Sequence, residues 1–111
     1  MSRVKNLFAD LVVPATGERF ETLWHSGAVV VERIVSSAEP GADPYDQIED
    51  EWVALLRGEA ELDVEGSTVR LGPGDHLFLP AHTRHRVRRA SSGAVWLAVH
   101  IHPTGRGRST A

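Results

Sequence analysis

Histidine is concentrated in the last third of this 111-residue chain, where five of its six histidines lie. Imidazole is the commonest side-chain ligand of divalent transition metals. The chain has no cysteine, which excludes thiolate-bound zinc and iron–sulfur sites and leaves His, Asp, Glu and Gln as ligands. A metal site here therefore requires strands that turn imidazoles and a carboxylate toward one interior.

Strand phase predicts that His85 faces such an interior. Strict alternation over residues 84–89 places His85, Val87 and Arg89 on one face and three other arginines on the opposite face. A face with three arginines must meet water, so His85 points inward. Arg89 is predicted to face inward with it, where it would pair with Glu51 or bind an anionic ligand in bidentate fashion.

Two more polar side chains share a face with apolar neighbours. Glu51 is in phase with Val53 and Leu55, and a carboxylate on an apolar face is costly to bury unless something positive compensates it. His100 is in phase with Trp96 on a strongly apolar stretch. The acids next to Glu51 are predicted to form a solvated edge, and three histidines are predicted to be exposed or in turns. These surface residues are Glu49, Asp50, His25, His76 and His102.

Period-two alternation between Gly- and Pro-rich turns predicts an all-β domain. The predicted strands cover residues 20–24, 28–35, 52–56, 59–65, 68–71, 76–79, 84–89 and 95–101. Many short strands at this spacing indicate a sandwich or closed barrel. The length suits a single domain, residues 1–111, with one helical turn predicted at 6–12.

Composition narrows the class of partner. The net charge of -3 argues against nucleic acid or an anionic membrane surface as the main partner. No apolar run is long enough to cross a bilayer, and the N-terminus is unlike a signal peptide, so we expect a cytoplasmic protein. Residues 103–111 lack apolar side chains and are predicted to be a flexible tail.

The residues around Glu51 follow a spaced pattern of glycine, five residues, His-x-His, three or four residues, glutamate, six residues, glycine. Glu51 and Gly58 match the glutamate and the last glycine. Tyr45 and Gln47 stand where the pattern has its two histidines, and Gly41 is one residue closer than the pattern asks.

A second pattern runs glycine, five residues, proline, any residue, glycine, two residues, histidine, three residues, asparagine. Gly74, Pro80 and His85 match its first glycine, proline and histidine. His82 replaces the inner glycine, and Arg89 replaces the asparagine. Together the two patterns resemble the motifs of the cupin superfamily, and residues 28–101 are most similar to small single-domain bacterial cupins.

The resemblance implies a double-sheet jelly-roll barrel with a core over about residues 20–102 and a divalent metal in its interior, Zn, Fe, Mn or Ni. Of the four family ligand positions, only Glu51 and His85 carry over intact. Gln47 can coordinate through its carbonyl oxygen, and His82 can supply a missing imidazole, with His100 in reserve. Tyr45, Arg89 and His100 are then expected in the substrate pocket.

Three functions remain open from the sequence. One is an enzyme whose metal polarises a small oxygenated substrate or activates dioxygen or water. Another is a non-catalytic module that binds or senses a small ligand, and the third is a metal-free structural barrel. The strand at 28–35 is apolar on both faces apart from Glu32 and Arg33, which predicts a homodimer that covers the outer face.

Overall fold

A computed structural model describes residues 3–103 and contains every one of the eight predicted strands. They are β1 (Glu18–Ser26), β2 (Val29–Ser36), β3 (Asp50–Arg57), β4 (Ala60–Val64), β5 (Ser67–Leu71), β6 (His76–Leu79), β7 (His85–Ala90) and β8 (Ala94–Ile101). The helical turn predicted at 6–12 is a single turn in which the Ala9 N–H donates to the Asn6 carbonyl at 3.1 Å. Apart from Pro103, the predicted flexible tail lies outside the described residues. Within residues 3–103 no helix has the length and apolarity to cross a membrane.

The strands form two antiparallel sheets. Five strands follow the order β1-β2-β8-β3-β6, and three follow the order β5-β4-β7. Alternate side chains of each sheet point toward the other sheet, because successive residues of a pleated strand face opposite ways. This is the predicted all-β jelly roll.

The core lies between the sheets and follows the alternation of the sequence. Leu55 and Trp96 from the larger sheet are 0% and 2% exposed, and they pack in one cluster with Leu62 from the smaller sheet. The acids that alternate with Leu62 on β4 face outward, where Asp63 pairs with Arg86 at 3.0 Å. The smaller sheet is therefore amphipathic, with one face in the core and one in solvent.

A β-bulge in β7 corrects the predicted orientation of Arg89. Along β4, Leu62 pairs with Val87 but the preceding Glu61 pairs with Arg89, so β7 carries one extra residue, Arg88. A bulge shifts the phase of the strand by one residue. Arg89 is therefore exposed and turned outward with Glu61, and the prediction that it faces the interior is wrong.

The registers of the larger sheet bring polar residues of three strands side by side. His100 on β8 pairs with Glu51 of β3 on one side and with Val30 of β2 on the other. Glu32 is two residues beyond Val30 on the same face of β2. The larger sheet thus presents Glu51, His100 and Glu32 together on its inner face.

Candidate functional site

A cavity of about 260 Å³ lies between the two sheets and receives side chains from both. Its polar lining consists of Glu18, Glu32, Tyr45, Gln47, Glu49, Glu51, His85, His100 and His102. Its apolar lining consists of Phe20, Val30, Ile34, Val53, Leu62, Leu79, Val87 and Trp96. An apolar pocket into which a few polar groups converge is the usual form of a small-molecule site.

One end of the cavity is lined by the segment before β3, which continues the alternation of that strand. Tyr45, Gln47 and Glu49 have the same parity as Glu51, and all four side chains line the cavity. The segment is held by backbone bonds between Tyr45 and His85, of 2.7 and 3.1 Å, and by the His82 N–H, which donates to the Gln47 carbonyl at 2.7 Å. These bonds hold the segment against β7.

Glu51 and His85 face each other inside the cavity, as strand phase predicts. They are 5% and 8% exposed, and Glu51 Oε1 lies 3.7 Å from His85 Nε2. His85 Nδ1 donates to the Thr83 carbonyl at 2.9 Å, because a carbonyl oxygen can only accept. Nε2 is therefore the nitrogen that faces Glu51. Glu51 Oε1 accepts a hydrogen bond of 3.0 Å from Gln47 Nε2.

His82 does not join this pair. Its imidazole is 66% exposed, and Nδ1 lies 3.1 Å from Asp46 Oδ1 outside the residues that line the cavity. The backbone explains why the matching position of the motif is a glycine: His82 has a φ of +63°, in the left-handed region. This conformation belongs to the turn after Pro80, and the structure leaves the predicted imidazole ligand at the surface.

Tyr45 lies over His85 as a neutral phenol. The two rings are 5.6 Å apart and tilted by 34°, and the hydroxyl lies 3.5 Å from Glu18 Oε1. Burial, reinforced by the nearby Glu18 carboxylate, raises the pKa of Tyr45 to about 12. Tyr45 therefore offers a hydroxyl to a ligand at neutral pH and is not ionised to a phenolate.

Glu18 is a cavity residue that sequence reasoning missed. Trp96 Nε1 donates to Ser36 Oγ at 2.9 Å, and the Ser36 hydroxyl donates to Glu18 Oε2 at 2.9 Å. Burial raises the pKa of Glu18 above its ordinary value of 4.5. Its position at the start of β1 was the only signal, and alternation alone does not distinguish an inward acid from an outward one.

The raised pKa of Glu18 predicts a pH-dependent effect on stability. A carboxyl whose pKa is raised by folding stabilises the fold below its unfolded pKa and loses that contribution as the pH rises through its folded pKa. The neutral variant Glu18→Gln is therefore expected to melt at a higher temperature than the wild type at pH 7. The difference should shrink as the pH falls toward 4.5, the ordinary pKa. Thermal melts of both proteins between these pH values measure it, and a pH-independent difference contradicts the assignment.

His100 lies between two further carboxylates. Nε2 is 2.9 Å from Glu32 Oε1, and this hydrogen bond raises the pKa of His100. Nδ1 is 3.2 Å from Glu49 Oε2 but lacks hydrogen-bond geometry, so it is a buried nitrogen without a hydrogen-bond partner in the described protein. The His100 side chain is 10% exposed.

Three surface predictions near this cluster are wrong. Glu49 lines the cavity with only 14% of its side chain exposed, and His102 lines it as well. Asp50 is buried, and its Oδ1 accepts the Ala81 N–H at 2.9 Å. The run of acids looked solvated because a sequence pattern cannot show that the segment before β3 lies against β7.

The ionisable side chains of the cavity do not by themselves provide a complete set of metal ligands. Within residues 3–103, no three His, Asp or Glu side chains are gathered closely enough to hold a metal ion. The cavity contributes one imidazole and one carboxylate that face each other, His85 and Glu51, with the Gln47 amide bonded to the carboxylate.

The chain is similar to several known structures. A "putative mannose-6-phosphate isomerase" from Ralstonia eutropha JMP134 is 40% identical, with a TM-score of 0.81 over 91% of this chain and 99% of that chain. A conserved protein of unknown function from Streptococcus pyogenes is 19% identical, with a TM-score of 0.78 over 95% and 91% of the two chains. An RmlC-like cupin protein from Desulfovibrio desulfuricans is 18% identical, with a TM-score of 0.76 over 91% and 97%. None of the curated proteins matches this chain.

The family comparison agrees with the motifs around Glu51 and His85. The model of the cupin domain matches residues 31–101, which include Glu51, His85, the whole of β3 to β8 and most of β2. The match covers more than half of the chain, and the Ralstonia protein is 40% identical along nearly its whole length. The two sheets enclose a polar-lined cavity, and the sequence matches both the family model and the Ralstonia protein. The protein is therefore a member of the cupin family.

Proposed function

We propose that the cavity binds a small oxygenated molecule together with a divalent metal ion held by Glu51, His85 and Gln47. The observation that carries this proposal is the facing pair of Glu51 and His85, both buried and 3.7 Å apart. This distance is too long for a hydrogen bond, so the two groups face each other without bonding directly.

The donor set fits a divalent ion of the zinc, iron, manganese or nickel type. Two bonds of about 2.1 Å, as imidazole and carboxylate form with zinc, span at most about 4.2 Å, so one ion can reach both atoms of the pair. The amide oxygen of Gln47 is a third, harder donor. His85 is already oriented for ligation, because its other nitrogen donates to the Thr83 carbonyl and leaves Nε2 free.

When bound, such an ion would polarise an oxygen of the small molecule. The chain's own residues would bind and orient that molecule. Tyr45 offers a neutral hydroxyl, and Glu18, whose pKa is raised, can hold or release a proton at its carboxyl. Trp96, Leu62 and Leu79 exclude water from the apolar side of the cavity.

The metal is tested by thermal melts with added Zn, Mn or Ni ions. A ligand that binds only the folded state stabilises it by RT ln(1 + [L]/Kd), about 2.7 kcal/mol at a hundredfold excess over Kd. We expect the wild type to gain several degrees in melting temperature and the His85→Ala variant to gain none, each relative to its own melt in EDTA. His25→Ala removes an exposed imidazole and is expected to keep the full shift. A shift that survives in His85→Ala excludes His85 as a main ligand.

A second candidate is a cupin that binds its small molecule without metal. It is favoured by the absence, within the described chain, of any group of three ionic ligands. The same melts separate the two functions. If no metal ion shifts the wild-type melting temperature or copurifies in stoichiometric amount, the metal-free binding function is the correct one.

We also propose that the protein is a homodimer. β1 is an edge strand of the larger sheet, and its Leu23 and Trp24 are 40% and 59% exposed. Exposed apolar side chains on a strand edge are usually covered by a partner. Light scattering at micromolar concentration is expected to give twice the chain mass of 12.1 kDa, and a monomer mass contradicts the proposal.

A further inference from the structure

The cavity carries an excess of negative charge that no side chain of its lining can neutralise. Four glutamates and three histidines line it, and among the described residues no lysine or arginine does. With neutral imidazoles, Glu32, Glu49 and Glu51 bring negative charge into the cavity with no fixed positive charge opposite, whether or not the Glu18 carboxyl holds its proton. In that state the cavity favours positive charge.

The cluster around His100 supplies a place for that charge. When the imidazole is neutral, Nε2–H donates to Glu32 and leaves Nδ1 as an acceptor. Nδ1 is buried, has no hydrogen-bond partner in the described protein, and lies 3.2 Å from Glu49 Oε2. His100 and Glu49 both line the cavity, and their two neighbouring acceptors can be satisfied by one group with several N–H donors, such as an ammonium, which has three.

The same lining disfavours a phosphate. The Ralstonia protein is named after a phosphorylated sugar. Phosphate is held in proteins by Arg, Lys or clustered backbone N–H groups. Arg89, which strand phase would have turned inward to bind an anion, faces outward beyond the bulge of β7. A phosphate in this cavity would meet four glutamates and no fixed cation of the described chain.

We propose that the small molecule bound in this cavity carries an amino group, which binds as an ammonium between Glu49 and His100. The inference rests on the proposal that the cavity binds a small molecule, and it does not depend on the metal. It makes Glu49 and Glu32 specificity residues, with Glu49 contacting the ligand and Glu32 orienting His100.

Ethanolamine and ethylene glycol test the proposal, because they differ in one group, an ammonium in place of a hydroxyl. Binding is measured at pH 8.5 in EDTA by two-dimensional amide NMR, with inorganic phosphate as the anionic probe. The lysine ammonium has a pKa of about 10.4, and the ammonium of ethanolamine, although its hydroxyl makes it somewhat more acidic, is still mostly charged at pH 8.5. Ethanolamine is expected to shift signals of cavity residues saturably. Ethylene glycol should bind at least about tenfold more weakly, as expected for loss of a charge-assisted bond, and phosphate should leave these signals unchanged.

Two isosteric variants locate the amino group. Glu49→Gln and Glu32→Gln are each expected to weaken ethanolamine binding by about tenfold or more. Glu61→Gln removes one negative charge from the outer face of β4, where Glu61 pairs with Arg70, and is expected to leave binding unchanged. Equal binding of the amine and the glycol, stronger binding of phosphate, or equal effects of the Glu49 and Glu61 variants would each overturn the proposal.

The outcomes separate this inference from the proposed function. If ethylene glycol binds the cavity as well as ethanolamine does, small-molecule binding stands and the amine class falls. If no probe reaches the cavity, both fall. The metal is judged independently, by the melts of wild type and His85→Ala.

Discussion

Replacement of Trp96 by alanine is expected to lower the free energy of unfolding by about 3–5 kcal/mol, the usual cost of removing a buried aromatic side chain. Trp96 is 2% exposed and packs in the core between the two sheets. Its Nε1 also donates to Ser36 Oγ, which in turn holds Glu18. Chemical denaturation of wild type and variant measures the difference.

Two further variants separate packing from hydrogen bonding at this position. Trp96→Phe keeps much of the packing and loses the bond to Ser36, so we expect a smaller cost, about 1–2 kcal/mol. Phe78→Ala removes a side chain that is 53% exposed and is expected to cost about 1 kcal/mol or less. A Trp96→Ala variant no less stable than Phe78→Ala would show that Trp96 does not contribute to the core as its burial indicates.

Gly58→Ala is expected to destabilise the protein by about 2–5 kcal/mol, because strain and collision add at this position. Gly58 has a φ of +90°, which L side chains rarely adopt. A Cβ there would lie 2.6 Å from Ser91 Oγ and 3.1 Å from the Ala94 Cα. Ser91 cannot move freely, since its hydroxyl accepts the Glu59 N–H at 3.0 Å. This is the physical reason for the last glycine of the first motif.

Gly66→Ala is the matched control for this collision. Gly66 has a similar φ of +83°, but a Cβ built on it meets no heavy atom within 4 Å. Only backbone strain is expected there, about 1–2 kcal/mol. The difference between the two variants in chemical denaturation isolates the contact with Ser91 and Ala94, and equal losses of stability would show that this contact costs nothing.

Strand phase was a sufficient guide where strands are regular. It placed Glu51, His85 and His100 toward the interior, because a pleated strand turns every second residue to the same side over its whole length. Glu49 has the same parity as Glu51, and both line the cavity. The alternation therefore predicts the direction of Glu49 as well, provided that the segment before β3 is extended.

Strand phase was wrong where the backbone departs from regularity. The extra residue of β7 turns Arg89 outward, and alternation in the sequence does not reveal a bulge. His82 adopts a left-handed conformation in a turn that points its side chain to solvent, although its spacing from His85 matched the motif. In both cases the local backbone geometry changed the direction of a side chain that spacing alone had placed in the site.

The all-β class, the eight strands, the family motifs and the inward facing of Glu51 and His85 follow from local alternation and turn residues, so they can be predicted without coordinates. The sharing of one cavity by four glutamates and the exclusion of Arg89 from it depend on how the folded strands pair. Glu18, Glu32 and Glu49 come from β1, β2 and the segment before β3, and their meeting depends on how strands distant in the chain pair and face each other. Long-range register and a one-residue bulge leave no periodic trace in the sequence, and here they set the charge of the site.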